Sequence, residues 1–75
     1  MAAASAEARR VAYRYSARTS QQDGLWMDHV GTLRGAITKA TRYARTAFPR
    51  GDYAGYGPTI TVQDATGQTV HEERL

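Results

Sequence analysis

Arginine dominates the side chains of this sequence that could bind a ligand or a partner. Nine of the ten basic side chains are arginine, and seven side chains are acidic. A guanidinium group binds a carboxylate or a phosphate through two parallel hydrogen bonds, so it suits an acidic protein surface or a nucleic-acid backbone. An arginine-rich surface that only keeps the chain in solution would have the same composition.

The basic and acidic side chains are unevenly distributed along the chain. Residues 1–50 contain nine basic and three acidic side chains, whereas residues 51–75 contain one basic and four acidic ones. This asymmetry indicates a basic surface that attracts phosphate or a carboxylate-rich partner. The candidate partner-binding cations are Arg14, Arg18, Arg34, Lys39, Arg42 and Arg45.

A glycine-rich loop supplies two further candidates for partner contact. Residues 50–58 contain three glycines and a proline, which favours a loop over a helix or strand. Tyr53 and Tyr56 offer rigid amphipathic surface at low entropic cost, so they are candidate contact residues unless the loop is only a connector. The loop follows a helix and lacks the lysine-serine/threonine ending of a P-loop, so we expect no phosphate cradle.

The two histidines, His29 and His71, are the only evident candidates for acid–base catalysis, and each stands beside an acid, Asp28 and Glu72. They fall in separate predicted hairpins and could converge across a sheet. A general base needs a pocket and a positioned partner, and no motif indicates either, so we expect a protein that is not an enzyme. Without cysteine, two histidines fall short of the roughly four ligands of structural zinc, so we expect no metal and no cofactor.

The length of the chain, 75 residues, predicts one domain with one core. The absence of cysteine fits a reducing cytoplasm. Residues 1–8 lack the basic segment and long apolar run of a signal peptide, and no apolar run approaches the roughly 20 residues of a membrane span. We therefore expect a cytoplasmic protein with no membrane contact. Residues 1–9 are expected to form a flexible tail.

The first predicted strand covers residues 11–19, where apolar and polar side chains alternate with the period of a strand. We expect the apolar face to meet the core and the arginine face to meet water or a partner. The apolar face comprises Val11, Tyr13, Tyr15 and Ala17, and the other face comprises Arg14, Ser16 and Arg18.

Residues 20–24 end in Asp-Gly, which predicts a hairpin turn, and residues 25–30 form the returning strand. In the alternative, Asp28 caps a helix that begins at His29, but Gly31 and Gly35 would then cost about 1 kcal/mol each relative to alanine. We therefore favour the strand. Because Trp26 and Met27 are adjacent, one of them must point away from the core, and an exposed Trp26 would be an interface anchor.

Thr32 is the predicted N-cap of one amphipathic helix, and Pro49 ends it. At 100° per residue the apolar side chains fall within about 120°, and the cations fall on the opposite side within about 140°. The apolar set is Leu33, Ala36, Ile37, Ala40, Ala44, Ala47 and Phe48, and the basic set is Arg34, Lys39, Arg42 and Arg45.

The C-terminal part of the chain predicts a second hairpin. Residues 59–63 and 68–72 form its strands, residues 64–67 form the turn, and residues 73–75 are expected to be loose. The complete prediction is a single α+β domain over residues 1–75, with three to four antiparallel strands in the order β-β-α-β-β and one helix on one face. A free sheet edge could pair with a second copy, so the chain is expected to be a monomer or a homodimer.

Two resemblances accompany these predictions. Residues 23–26 and 32–40, with their Asp-Gly-Leu-Trp and Thr-Leu-x-x-Ala-Ile-x-x-Ala patterns, resemble the hairpin and helix of HicB-type antitoxins. The resemblance does not extend to a further strand before the helix or to a DNA-binding region.

The whole chain resembles small phage-encoded anti-CRISPR proteins in its size, its single helix with a small sheet and its charged surface. This resemblance implies a non-enzymatic phage or mobile-element inhibitor of a host nucleic-acid machine such as a CRISPR–Cas complex. It would bind a Cas-type protein surface and block access to DNA. The alternative is a direct, sequence-nonspecific nucleic-acid-binding protein that uses the arginine-rich helix face.

Overall fold

The computed structural model describes residues 11–49 and 57–75. The predicted flexible tail, residues 1–9, and the candidate contacts Tyr53 and Tyr56 lie outside the described residues. The elements are β1 (Val11–Arg18), β2 (Met27–Gly31), α1 (Leu33–Ala47), β3 (Thr59–Asp64) and β4 (Thr69–Arg74).

The four strands form one antiparallel sheet in the order β2-β1-β3-β4, with α1 packed on one face. This confirms the predicted α+β fold and the order of its elements. In β1, Tyr13, Tyr15 and Ala17 pack toward the core and Arg14 and Arg18 are exposed, as the sequence pattern predicted. Ser16, predicted to meet water or a partner with these arginines, is instead buried at 7% exposure. Because β1 pairs with both β2 and β3, and α1 packs over it, β1 is a central strand although it comes first in the described chain.

The core lies between α1 and the two central strands. Tyr15 and Ala17 of β1, together with Ile60 and Val62 of β3, are buried against one side of the helix. That side is formed by three alanines with no exposed surface, Ala36, Ala40 and Ala44. Because alanine side chains are short, the helix backbone can approach the sheet closely. Val11 and Ala47, predicted for the buried faces, are exposed, since both lie at an end of their element.

The second strand begins at Met27, two residues later than predicted. The N–H of Gly24 donates to the carbonyl of Ala17, and the N–H of Leu25 donates to the hydroxyl oxygen of Tyr43 in the helix at 2.8 Å. The chain therefore bonds to the helix at Leu25, and regular pairing with β1 starts only at the Tyr15–Met27 pair. Residues 28–31 are strand, which confirms that interpretation over the helical alternative.

Thr32 caps the helix as predicted, since its hydroxyl oxygen accepts a hydrogen bond from the Gly35 N–H at 3.0 Å. A Cβ atom at Gly35 would lie 2.8 Å from Nε2 of His29, so a larger residue here would require the histidine ring to shift. The same ring limits space at Gly31, where a Cβ would also lie 2.8 Å from that nitrogen. The two glycines therefore mark the packing of the His29 ring against the start of α1.

The C-terminal residues are ordered, so the prediction of a loose tail at residues 73–75 was wrong. Glu73 and Arg74 belong to β4, where they pair with Ile60 and Thr59. Leu75 packs against the core, and its N–H donates to the carbonyl of Pro58 at 2.9 Å. The polar composition of these residues had suggested fraying, but pairing with β3 and the contacts of Leu75 hold them against the sheet and the core.

The turn of the second hairpin is organised by Asp64. Its Oδ1 accepts hydrogen bonds from the Thr66 hydroxyl at 2.5 Å and from the N–H groups of Thr66 and Gln68. Gly67 adopts a φ of 87°, a conformation that suits glycine. The Thr66 hydroxyl, and after it the backbone N–H groups, hold the pKa of the Asp64 carboxyl below its ordinary 3.8, against opposing desolvation.

The lowered pKa of Asp64 predicts a small loss of stability in acid. A carboxyl with a depressed pKa in the folded state stabilises the fold above its unfolded pKa, and this contribution is lost as the pH falls through the folded value. Asp64→Asn should therefore lower stability slightly at neutral pH and flatten the decline below about pH 4. Urea unfolding of both proteins at about pH 7 and about pH 2.5 measures this, and equal declines would contradict the prediction.

Candidate binding surfaces

The outward face of α1 is basic along its whole length. Arg34, Lys39, Arg42 and Arg45 are all exposed, and the helix Leu33–Ala47 contains no acidic residue. None of the four cations forms an ion pair within the described residues. From Arg34 to Arg45 the helix rises about 16 Å at 1.5 Å per residue. This surface, called the basic helix face below, is thus available to a partner with several negative charges.

An apolar groove adjoins the basic helix face on the side of the helix next to β2. The groove has a volume of about 350 Å³ and is lined by Tyr15, Met27 and Tyr43, with Lys39, Arg42 and Thr46 completing the lining. The rings of Tyr15 and Tyr43 meet edge to face with centroids 6.3 Å apart, and the Tyr15 hydroxyl donates to the Met27 sulfur at 3.9 Å. The groove therefore combines an aromatic and thioether floor with two cations at its margin.

The opposite face of the sheet is not covered by any element of the described chain. Arg18 is fixed there by two acceptors: Oγ1 of Thr61 at 3.0 Å and Oε2 of Glu72 at 3.2 Å. The Arg14 guanidinium lies over the ring of Trp26, 5.3 Å from its centroid. Both arginines are thus held against neighbouring side chains, unlike the cations of the helix.

The structure therefore divides the six predicted cations between two surfaces. Arg34, Lys39, Arg42 and Arg45 share the basic helix face, while Arg14 and Arg18 lie on the opposite side of the sheet, as their alternation with buried residues predicted. One flat partner cannot contact both. The uncovered sheet face also contains Asp23, Asp28 and Glu72, so it is of mixed charge, whereas the helix is basic only.

The two histidines do not come together. His29 is on β2 and His71 on β4, the two edge strands, with β1 and β3 between them. Nε2 of His71 contacts Oε1 of Glu73 at 3.0 Å rather than Glu72, and Nε2 of His29 is buried without a hydrogen-bond partner. Within residues 11–49 and 57–75, no group of three or more His, Cys, Asp or Glu side chains could hold a metal ion. The helix described there is too short and too polar to cross a bilayer.

Two features of these surfaces went beyond the sequence interpretation. The apolar groove was not predicted, although the adjacency of Trp26 and Met27 was a usable signal. Met27 packs against the core, and Trp26 retains 42% of its surface exposed. Tyr43 was also missed, because it falls between the apolar and basic arcs of the helix.

Comparison with known proteins does not identify a family for this chain. The chain matches no protein-family model, no curated protein and no solved structure.

Proposed function

We propose that this chain is a non-enzymatic binding protein that docks its basic helix face and the adjoining groove on an acidic protein surface. The proposed partner belongs to a host nucleic-acid machine such as a CRISPR–Cas complex, and the bound protein blocks its access to DNA. That finer proposal rests on the resemblance in size and architecture to small phage inhibitors.

The groove beside the helix is the reason for proposing a protein partner rather than a nucleic acid. A nucleic-acid backbone can be bound by cations alone, whereas Tyr15, Met27 and Tyr43 form an open, largely apolar groove against which a side chain of a protein partner can pack. Lys39 and Arg42 lie beside that groove, where they can pair with carboxylates around the packed side chain. Aromatic residues, methionine and arginine are the types enriched in protein–protein interfaces.

A direct nucleic-acid binder is the second candidate, and the acid-free helix favours it. Four cations that form no ion pair with another described residue lie along about 16 Å of helix, where they can contact successive phosphates of a backbone without regard to sequence. This mode makes no use of the apolar groove.

Partner capture tests the proposal directly. The full chain, immobilised through a C-terminal tag, is incubated with host lysate treated with nuclease, and bound proteins are identified by mass spectrometry. The matched control carries Met27→Lys, which places a charge in the groove and leaves the residues of the basic helix face unchanged. Because Met27 also packs against the core, this variant is used only once circular dichroism shows that it is folded. We expect an acidic protein or complex to be retained by the native chain and lost with the control.

Salt dependence separates the two candidates. Direct phosphate binding predicts tight association with duplex DNA whose log K falls by about 0.9 per neutralised phosphate for each log unit of salt. Capture that occurs only from lysate not treated with nuclease, together with duplex binding that shows this slope, would contradict the protein-partner proposal and support the nucleic-acid alternative. Retention of the captured protein by the Met27→Lys variant would show that the groove has no part in it.

A further inference from the structure

A second cavity lies on the uncovered sheet face, away from the basic helix face. It has a volume of about 280 Å³ and is lined by Trp26, Arg18, Asp23, Ser16, Thr61, Ala17 and Gly24. Ser16 and Thr61 are directly opposite each other on the central strands β1 and β3, so the cavity lies over the middle of the sheet. A partner strand added to a sheet edge would not reach it.

One polar side chain that lines this cavity is held by hydrogen bonds, and two others have no partner among the described residues. Arg18 is anchored by Thr61 and Glu72, which orients its guanidinium. Ser16 is only 7% exposed, and no group of the described residues hydrogen-bonds its hydroxyl. The Asp23 carboxylate forms no ion pair within the described chain. A ligand would therefore meet an oriented donor, a free hydroxyl and a free acceptor.

Trp26 supplies an aromatic wall. Trp26 is one of the residues that line the cavity, whereas Arg14, whose guanidinium lies 5.3 Å from the centroid of the Trp26 ring, is not. An indole with a cation against it and an accessible surface toward a cavity is suited to stacking with a flat ring. The cavity is just below the lower end of the 300–1,000 Å³ range typical of sites for drug-sized ligands, so it suits a small flat group.

We propose that this cavity binds an unpaired nucleobase of a single-stranded nucleic acid. Trp26 stacks on the base, while Arg18 donates and Asp23 accepts hydrogen bonds at its polar edge. The one positive and one negative side chain of the lining favour a neutral group with both donors and acceptors over a phosphate or a cation. This site is independent of the proposed function, because it lies on the other side of the sheet.

The single tryptophan of the chain makes the proposal directly measurable, since all tryptophan emission comes from Trp26. The full-length protein is titrated with an eight-nucleotide single strand at about 0.5 M salt, where phosphate attraction by surface cations is largely screened. We expect saturable quenching of Trp26 emission by the single strand, and also by millimolar adenosine, which has no phosphate. The same sequence as a duplex should quench little, because its bases are already stacked and paired.

Variants identify the residues involved through the anisotropy of a labelled single strand. Trp26→Ala should weaken binding by about 5- to 150-fold, the range that alanine substitution gives for base stacking, whereas Trp26→Phe should retain most of the affinity. Asp23→Asn should alter the preference among the four bases. Removing Arg34, Arg42 and Arg45 should leave quenching at high salt unchanged, which separates this site from the basic helix face.

Several results would overturn the base-binding proposal. They are the absence of quenching by both single strand and adenosine, equal affinity of Trp26→Ala in a protein that circular dichroism shows to be folded, and equal quenching by single strand and duplex. Saturable quenching by a peptide in place of the single strand would assign the cavity to a protein side chain. None of these results bears on partner capture by the helix face.

Discussion

Replacing Ile60 with alanine is expected to lower the free energy of unfolding by about 2–5 kcal/mol, near the upper end of that range. Ile60 has no exposed surface and is one of the two largest fully buried side chains. The neighbouring core positions Ala17, Ala36, Ala40 and Ala44 are alanine, so no flexible side chain among them can move in to fill the cavity. For 75 residues the total stability is about 4–11 kcal/mol, so the loss would be a large part of it.

Urea unfolding followed by circular dichroism measures this change, with two matched variants as controls. Ile60→Val removes one methylene and should cost about 0.5–1.5 kcal/mol. Val70→Ala, at a position with 39% of its surface exposed, should change stability by about 0.5 kcal/mol or less. If Ile60→Ala cost no more than Val70→Ala, the core would not lie where the structure places it.

Replacing Arg34, Arg42 and Arg45 together with alanine should weaken partner binding by about 3- to 150-fold while leaving the fold intact. Each exposed ion pair is worth about 0.2–1 kcal/mol, and the three losses combine. Alanine favours helix at least as well as arginine, and the three side chains are exposed, so stability should change little. The affinity for the captured partner, measured by calorimetry at two salt concentrations, checks the prediction.

Two controls make the triple variant specific. The corresponding lysine variant keeps the charge and loses the planar guanidinium, so an intermediate affinity would show that bidentate pairing contributes. Replacing Arg14 and Arg18 with alanine lowers the charge on the opposite sheet face and should leave the helix-bound partner unaffected. If the triple alanine variant bound normally, the basic helix face would be only a solvated surface.

The local structure of α1 followed from the sequence almost completely. The spacing of its apolar residues, the Thr32 cap and the Pro49 stop were sufficient, because each acts within a few residues of chain. The strand alternation of β1 likewise predicted that Tyr13, Tyr15 and Ala17 face the core, since the period of a strand assigns alternate residues to opposite faces.

The ends of β2 and β4 depended on partners distant in sequence. Leu25 lies outside β2 because its N–H donates to the hydroxyl oxygen of Tyr43. The last residues of the chain are held in and beside β4 because Leu75 bonds to the carbonyl of Pro58 and packs against the core. Neither partner can be identified from the residues next to these positions. The sequence likewise could not determine whether His29 and His71 meet, because their separation depends on the order of the strands in the sheet.

By itself, then, the sequence determined an acid-free basic helix face, a predominantly apolar first-strand face and an α+β fold, since these are properties of neighbouring residues and their period. Only the tertiary structure decided which side chains lie beside the cations. Packing of α1 over β1 brought Tyr15, Met27 and Tyr43 beside Lys39 and Arg42, and pairing of β1 with β3 set Arg18 against Thr61 and Glu72. Hydrophobic periodicity states which face of each element is buried, but strand order and register decide which side chains meet there.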